Sequence, residues 1–319
     1  MDGTDDAAAV ALEWHRAGRG AALATVVETW GSAPRPRGSQ LAVSGDAEIA
    51  GSVSGGCVEG AVVAEALDAI ADGRHRLLDY GVSDDDAFAV GLACGGRIRV
   101  LVEPVGGTLP DELLAEVVER QGRAGMVRRA TNVRDGRTRL LDGSDGPGAE
   151  ESGFEPDGET FVTVHAPPLR LAIVGGVHIA QALAPMARAA GFAVTVIDPR
   201  EVFASPARFP DTPLVHDWPG EAMEAFRPDE RSAVVLLTHD PKLDDPALRI
   251  ALASHAFYVG ALGSARTHAK RVERLREAGV PEAAIRRIDA PIGLPIGART
   301  PGEIAVATLA AIVQALRRT

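Results

Sequence analysis

Residues 169–180 read LRLAIVGGVHIA, an apolar strand that ends in two glycines and leads directly into a helix. The same alternation continues to the C-terminus. Further strands end at FAVTVID, AVVLLTHD and AFYVGALGS, and helices are predicted over 178–190, 244–254, 265–278 and 301–317. Near-continuous apolar strands that alternate with helices are typical of a doubly wound parallel sheet. This pattern predicts an α/β domain over residues 169–319.

The glycines of this stretch stand where a Rossmann dinucleotide fingerprint would place them. Gly175 can make the tight turn, and Gly176 follows it. The next position of the fingerprint, the middle glycine that admits the pyrophosphate, is Val177 in this chain. Asp198 ends the next strand, about where a ribose-binding acid belongs. Two interpretations stay open: an NAD(P)-dependent oxidoreductase, weakened by Val177, or a Rossmann-like domain that no longer binds a dinucleotide in the standard way.

Other polar residues follow the strands of the same domain, where open α/β sheets bind ligands. Ser264 can cap the helix after its strand, and that helix N-terminus together with Arg266 would suit a phosphate. The alternative is an ordinary cap beside a surface arginine. The remaining candidates at this edge are Arg200, His239 and, at a helix start, His178.

The first half of the chain has a different organisation. Residues 21–28 read as a strand, a hairpin-like pair follows, a helix is predicted from Cys57, and 97–102 alternate as a strand. We therefore predict a mixed α/β, thiol-containing domain over 1–105. Residues 106–168 are predicted to add one helix and two short strands, followed over 142–160 by an acidic, Gly/Pro-rich linker.

Both cysteines adjoin a glycine pair: Gly55 and Gly56 precede Cys57, and Gly95 and Gly96 follow Cys94. Glycine lets backbone N–H groups approach a ligand closely, so the two sites would form a two-thiol pocket lined by backbone donors if they converge. A helix start at Cys57 would stabilise its thiolate and raise its nucleophilicity. The alternative is that both are small buried residues.

Charged residues accompany the Cys57 thiol in the sequence. Glu59 would oppose the thiolate if it is close, or could shuttle a proton. Arg35 and Arg37, in a turn rich in glycine and proline, could hold a phosphate or a molybdate-like oxyanion. Two thiols without a nearby CxxC or HxxxH partner do not indicate structural zinc.

Composition narrows the classes of partner. The formal charge of −11 argues against a general binder of nucleic acid or of an anionic membrane. The N-terminus lacks the features of a signal peptide, and no apolar run reaches the length of a membrane span. Reduced thiols and a cytoplasmic location are therefore expected.

Motifs along almost the whole chain resemble the XdhC/CoxI family. In the first half the resemblance lies in TWGSAPRPRG (29–38), GSVSGGCVE (51–59) and CGG (94–96). In the second half it lies in GGVHIA (175–180), VIDPR (196–200), LTHD (237–240), GALGSARTHAKRVERL (260–275), APIGL (290–294) and TPGEIA (300–305). Val177, Asp289 and Ala311 depart from the family pattern, which weakens nucleotide binding by the second domain.

The resemblance implies an accessory protein that binds molybdenum cofactor, protects it during sulfuration and helps insert it into a molybdenum hydroxylase of the xanthine dehydrogenase or CO dehydrogenase type. It implies that Cys57 and Cys94 contact the cofactor, held as molybdopterin or as its dinucleotide form. The expected partners are the hydroxylase apoenzyme and a cysteine desulfurase, and a homodimer is expected. The implied role is that of an insertion chaperone more than that of a catalyst. A third interpretation is a protein that acts by protein contact alone.

Overall fold

The computed structural model describes residues 6–31, 35–81, 96–122, 125–141 and 151–318. The chain divides into two compact units, one ending at Pro167 and the other spanning Pro168–Thr319. None of the helices in the described ranges is long and apolar enough to cross a membrane.

The first unit combines three helices with two antiparallel sheets within its described part. The helices are α1 (Ala7–Arg16), α2 (Glu59–Asp72) and α3 (Asp111–Gly122). One sheet has the order β3-β2-β1-β5-β4 and contains β1 (Ala21–Trp30), β2 (Gln40–Ser44), β3 (Ile49–Gly51), β4 (Arg76–Tyr80) and β5 (Arg97–Pro104). The other has the order β7-β6-β9-β8 and contains β6 (Val127–Asn132), β7 (Thr138–Leu141), β8 (Gly153–Phe154) and β9 (Thr160–His165).

Strand β1 lies at the centre of the five-stranded sheet, and Ala21 to Val27 are buried on both of its faces. Ala22, Ala24 and Val26 pack with the apolar face of α2, whereas Ala21 and Leu23 pack with α1 and α3. Small alanines allow helices to approach the sheet from both sides, because a closely packed interior leaves little room between layers. This double cover makes β1 a rigid support for the loop that follows it.

A fully buried ion pair connects the two sheets of the first unit. Arg129 on β6 donates two hydrogen bonds to the Glu103 carboxylate on β5, both at 2.7 Å, and neither side chain is exposed to solvent. Thr131 and Thr138 complete the polar cluster. His165 is also buried, and desolvation, aided by the charge of Arg129, lowers its pKa to about 3.

The second unit contains a parallel sheet of order β12-β11-β10-β13-β14-β15. Its strands are β10 (Leu169–Val174), β11 (Phe192–Ile197), β12 (Leu214–Val215), β13 (Ser232–Leu236), β14 (Tyr258–Ala261) and β15 (Ile288–Asp289). Its helices are α4 (His178–Ala189), α5 (Pro219–Phe226), α6 (Pro241–Ala253), α7 (Ala265–Glu277), α8 (Glu282–Ile285) and α9 (Pro301–Leu316).

Alternate residues of the central strands supply two apolar cores. Leu171 and Ile173 of β10 pack with α4 and α9 on one face, whereas Ala172 and Val174 pack with α5, α6 and α7 on the other. This is the layered arrangement that alternating apolar strands and helices predict. The predicted fold class, a mixed α/β unit followed by a Rossmann-like doubly wound sheet, is confirmed.

Two local expectations need correction. The helix predicted from Cys57 begins two residues later, at Glu59, with Val58 as its N-cap. Part of the predicted 142–160 linker is strand, since β8 pairs with β9 and Phe154 packs edge-to-face on Phe161 at 5.2 Å. Gly/Pro-rich composition also marks tight hairpins, which is why composition alone mistook this segment. Residues 142–150 lie outside the described ranges.

Candidate functional site

Three chain segments leave the five-stranded sheet at one edge. In the antiparallel register Trp30 lies opposite Arg97, Tyr80 opposite Ile98, and Gly51 opposite Leu41. The ends of β1, β3 and β4 and the start of β5 therefore share this edge. The segment with Arg35 and Arg37, the Cys57 loop and the chain before Gly96 all begin or end there. We call this the thiol edge.

The loop 52–58 is held together by two serines and one carboxylate. Ser52 Oγ accepts from the Gly55 N–H at 2.9 Å, and Ser54 Oγ accepts from the Cys57 and Val58 N–H groups, both at 3.0 Å. The Glu59 carboxylate accepts from the Ser54 and Gly56 N–H groups at 2.9 and 2.8 Å and from both serine hydroxyls, at 2.6 Å from Ser52.

This network corrects the expectation of a pocket lined by backbone donors. Each backbone N–H group from Ser54 to Val58 donates to a side-chain oxygen of the loop itself. Positive φ angles of 74° at Gly55 and 114° at Gly56 let the chain curl around the carboxylate, which explains the glycine pair without a ligand. The loop therefore exposes the Cys57 side chain, whereas its backbone N–H groups are bonded within the protein.

Glu59 anchors this loop, a role that neither of its sequence-based alternatives, opposing the thiolate or shuttling a proton, had included. Desolvation acts to raise its pKa, but hydrogen bonds from Ser52 and Ser54 outweigh it and lower the pKa to about 2. The carboxylate is therefore ionised at neutral pH, and both oxygens are engaged within the loop. Ser52 and Ser54 were not singled out from the sequence. The spacing Ser-x-Ser-x-x-x-x-Glu was the only available signal.

The Cys57 thiol is exposed at the surface of this ordered loop, and it is a free cysteine. Arg35 Nε donates to Ser52 O at 3.3 Å, so one predicted arginine touches the loop, while Arg37 is exposed on the neighbouring segment. Gly96 is buried just before β5. Cys94 and Gly95 lie outside the described residues, so their predicted role stays a prediction.

An aromatic and cationic cluster at the thiol edge was not predicted from the sequence. The Trp30 ring is 42% exposed and has the Arg97 and Arg99 guanidinium groups 5.1 and 5.8 Å from its centre. Arg99 also pairs with Glu28 at 2.7 Å. Both guanidinium groups lie over the ring, so the exposed part of Trp30 is combined with two cations, and aromatic rings and guanidinium planes both stack on flat groups. Only the pairing of β1 with β5 brings these residues together.

The turn Gly175–Gly176 at the end of β10, called the glycine loop below, is packed against other segments of the second unit. A Cβ at Gly175 would lie 2.6 Å from Thr238 Cγ2, and one at Gly176 would lie 2.7 Å from Phe203 O. The backbone that approaches Gly176 is thus the segment after β11, at the place where a dinucleotide fold admits a pyrophosphate. These glycines are required by chain packing.

Asp198 occupies the position of a ribose-binding acid but is used internally. Its side chain has no exposed surface, and it accepts from the Gly176 N–H at 2.9 Å and from the Arg200 guanidinium at 2.8 Å through each oxygen. Arg200 also lies over the Phe203 ring at 4.1 Å. The expectation that Asp198 holds a ribose is therefore corrected: its carboxylate fastens the loop after β11 to the glycine loop.

Other predicted residues of the second unit stand at the carboxyl ends of the parallel strands. His178 is exposed and begins α4, whose N-cap is Val177. Ser264 caps α7 by accepting from the Thr267 N–H at 3.2 Å, as predicted. His239 has a positive φ of 64° and shares a cavity with Arg266. The structure thus brings His239 and Arg266 together.

No cluster of three or more His, Cys, Asp or Glu side chains that could hold a metal ion occurs in the ranges the structure describes. Cys57 is the one cysteine within those ranges, and the predicted second thiol, Cys94, lies outside them, so the predicted contact of both thiols with a cofactor stays a prediction.

Two family models match the chain. The model described as "XdhC Rossmann domain" matches residues 171–312, and that described as "XdhC and CoxI family" matches residues 14–81. A curated protein of Escherichia coli (strain K12), named as the molybdenum cofactor insertion chaperone PaoD, is 33% identical over 95% of this chain and 85% of its own length. The chain belongs to the XdhC and CoxI family.

Two further proteins extend this likeness. A protein of Bacillus subtilis (strain 168), named as a probable xanthine dehydrogenase subunit, is 28% identical over 93% of this chain and 94% of its own length. A crystal structure described as that of a xanthine dehydrogenase from Bacillus halodurans has a TM-score of 0.80, with 24% identity, over 98% of this chain and 96% of that one. The structural likeness establishes the fold.

Proposed function

We propose that this protein holds molybdenum cofactor as cargo and delivers it to the apoprotein of a molybdenum hydroxylase. The observation that carries the proposal is the match to the XdhC and CoxI family, together with the name of the relative PaoD, a molybdenum cofactor insertion chaperone. The exposed Cys57 thiol supports it, because soft sulfur ligands suit a metal centre of this kind.

The thiol edge supplies three kinds of contact that such a cargo would use. Cys57 offers a sulfur on a loop that Glu59 keeps ordered, Arg35 beside it offers a cation, and Trp30 offers a flat apolar face. Molybdopterin has a flat pyrimidine ring and a terminal phosphate, so stacking and charge pairing together would orient it. Cys94 is proposed as the second thiol from its place two residues before Gly96.

Three finer steps belong to the same proposal. The protein would protect the cofactor while it is sulfurated, it would meet a cysteine desulfurase at that stage, and its client would be of the xanthine dehydrogenase or CO dehydrogenase type. The relative from Bacillus subtilis, named as a probable xanthine dehydrogenase subunit, supports the class of client.

The decisive experiment measures cargo on the purified full chain. Wild type, Cys57→Ser, Cys94→Ser and the double variant are produced in cells that make the cofactor, and molybdenum and pterin are measured per chain. We expect each single variant to lose cofactor and the double variant to lose almost all of it. Ser205→Ala, on the other unit, serves as the control and should retain it. Retention of the full amount by the double variant would refute the proposed role of the thiols.

Delivery is tested separately with a molybdenum hydroxylase apoenzyme. Loaded wild-type protein should restore hydroxylase activity, and loading in the presence of a cysteine desulfurase and cysteine should raise the cyanide-releasable sulfur on the transferred cofactor. Activation by free cofactor at the same rate, with no gain from the protein, would contradict a chaperone function.

The oxidoreductase alternative is tested by calorimetric titration with NAD and NADP. Asp198 is already engaged by Gly176 and Arg200, and Phe203 closes on Gly176. We therefore expect no binding at the glycine loop.

A further inference from the structure

A cavity on the second unit lies beside the first turn of α7, on the far side of β13 from Asp198. Its volume is about 280 Å³, and its lining contains the cations Arg266, Lys270, Arg271 and Arg274 and a single carboxylate, Asp244. Ligand pockets for whole drug-sized molecules are roughly 300–1,000 Å³, so this cavity suits one compact group. The excess of positive charge favours an anion.

Arg271 forms the buried base of this cavity. Its residue is only 2% exposed, and its Nη2 donates to Leu262 O at 2.8 Å. Within the described ranges its Nε and Nη1 groups have no hydrogen-bond acceptor, and Asp244 Oδ2 is equally without a donor, standing 3.6 Å from Nη2. A buried guanidinium with two unsatisfied donors is costly unless a further acceptor completes it.

The ion pair with Asp244 does not satisfy this guanidinium. Burial lowers the pKa of Arg271 and raises the pKa of Asp244, so desolvation outweighs their mutual attraction. Thr238 donates its hydroxyl hydrogen to the other Asp244 oxygen at 2.6 Å, which turns that carboxylate partly away. Charge compensation for the cavity is therefore incomplete without an external anion.

The other cations are arranged for the same ligand. Arg266, Lys270 and Arg274 recur every four residues and thus share one face of α7. Arg274 is paired with Asp245 at 2.6 and 3.0 Å, whereas Arg266 and Lys270 are exposed at the cavity. The cap uses Ser264 for the Thr267 N–H, which leaves the first two N–H groups of α7 without an intrahelical acceptor.

We propose that this cavity is a phosphate-binding site, formed by Arg266, Lys270, Arg271 and the N-terminus of α7. The two-pronged guanidinium group matches the spacing of phosphate oxygens, and the N–H groups at the helix N-terminus add donors with partial positive charge. The site does not depend on the thiols of the proposed function. The proposed anion site therefore lies at the start of α7 and not at the start of α4, where the Asp198 carboxylate already bonds to the glycine loop.

The chemical class of the ligand is a phosphate ester, either a terminal monoester or the diphosphate of a dinucleotide. Phenyl phosphate represents the first, and symmetrical dimethyl diphosphate, which carries no nucleoside, represents the second. Displacement of bound phenyl phosphate by dimethyl diphosphate would assign the site to a diphosphate, whereas binding of phenyl phosphate without displacement would assign it to a terminal monoester.

Isothermal titration of the full chain with phenyl phosphate tests the site. Wild type should bind saturably, and Lys270→Ala and Arg271→Lys should each weaken binding by about tenfold or more, the scale of a lost hydrogen bond to a charged group. Arg286→Ala removes an equal charge outside the cavity and should bind as wild type. Lys270 is exposed, so its variant keeps the test valid if Arg271→Lys folds poorly.

Absence of saturable binding by wild type would overturn the proposal, as would unchanged affinity in both Lys270→Ala and Arg271→Lys. Cys57→Ser separates this site from the thiol edge. It should bind phenyl phosphate with wild-type affinity even if it loses the molybdenum cofactor, so failure of one proposal is distinguishable from failure of the other.

Discussion

Glu59→Gln tests whether one carboxylate organises the loop that presents Cys57. The substitution keeps the size of the side chain but replaces one acceptor oxygen with an NH2 group that cannot accept from the Gly56 N–H, now bonded at 2.8 Å. It also removes the charge that strengthens the hydrogen bonds from Ser52 and Ser54.

The loss of stability expected in Glu59→Gln follows from the pKa of Glu59. Desolvation opposes the shift, but the loop hydrogen bonds still lower this pKa from 4.5 to about 2. A fall of that size corresponds to about 3 kcal/mol in the free energy of unfolding. Because the carboxylate is only partly buried, solvent screening reduces the expected loss in Glu59→Gln to about 2 kcal/mol at pH 7.

The pH dependence has a definite sign. A carboxyl whose folded pKa is depressed contributes stability above its unfolded pKa and loses that contribution as the pH falls through the folded pKa. Urea unfolding of wild type and Glu59→Gln should therefore differ most above pH 4.5 and converge as the pH approaches 2. Ser205→Ala, on the other unit, provides the control.

Reactivity of the thiol gives a second measurement on the same variants. Loosening of the loop should change the rate at which Cys57 reacts with a disulfide reagent under native conditions, and Ser205→Ala should not. Equal stability of wild type and Glu59→Gln at pH 7, or a difference that persists undiminished near pH 2, would refute this account of the loop.

Three further predictions concern the fold around the two candidate sites. Arg129→Met should destabilise the first unit by about 3–5 kcal/mol in urea unfolding, because it leaves the buried Glu103 carboxylate without its partner. The double variant Arg129→Met with Glu103→Leu should recover at least half of that loss, and no recovery would contradict the ion-pair explanation. Burial and Arg129 lower the pKa of His165 to about 3, so between pH 6.5 and 3 the imidazole binds a proton in the unfolded state but not in the folded state. Wild type should therefore lose thermal stability as the pH falls from 6.5 towards 3. A His165→Gln variant whose stability falls with the same slope would disprove this. Gly176→Ala should cost about 1–3 kcal/mol by thermal unfolding, since its Cβ would stand 2.7 Å from Phe203 O; an unchanged midpoint would show that the loop after β11 moves freely.

Local patterns predicted much of the architecture. Period-two and helical apolar spacing predicted β1, the β2–β3 hairpin, β5, and most strands and helices of the Rossmann unit, and the structure confirms them. The elements that were missed include α1, β4, β9, β12, α5, α8 and β15. Strand β4 has no buried residues of its own and is defined by its pairing with β5, which a single-sequence pattern does not reveal.

The glycine motifs show where a motif misleads. At both Gly55–Gly56 and Gly175–Gly176 the sequence indicates close approach of a ligand to the backbone. At Gly55–Gly56 the positive φ angles require glycine, the Gly56 N–H donates to Glu59, and a Cβ at Gly56 would have no atom within 4 Å. At Gly175 and Gly176 the approaching groups are Thr238 and the Phe203 backbone, both from the protein. Which atoms fill the space depends on contacts that the motif does not contain.

By itself, the sequence determined the layers of the fold, the cap Ser264, and membership of the XdhC and CoxI family, because each depends on neighbouring residues or local periodicity. Only the tertiary structure decided that Glu59 and Asp198 serve their own loops and that Arg271 is buried with its Nε and Nη1 atoms lacking an acceptor among the described residues. Burial and hydrogen-bond satisfaction are set by segments far apart in the chain, and they determine which charged groups remain available to a ligand.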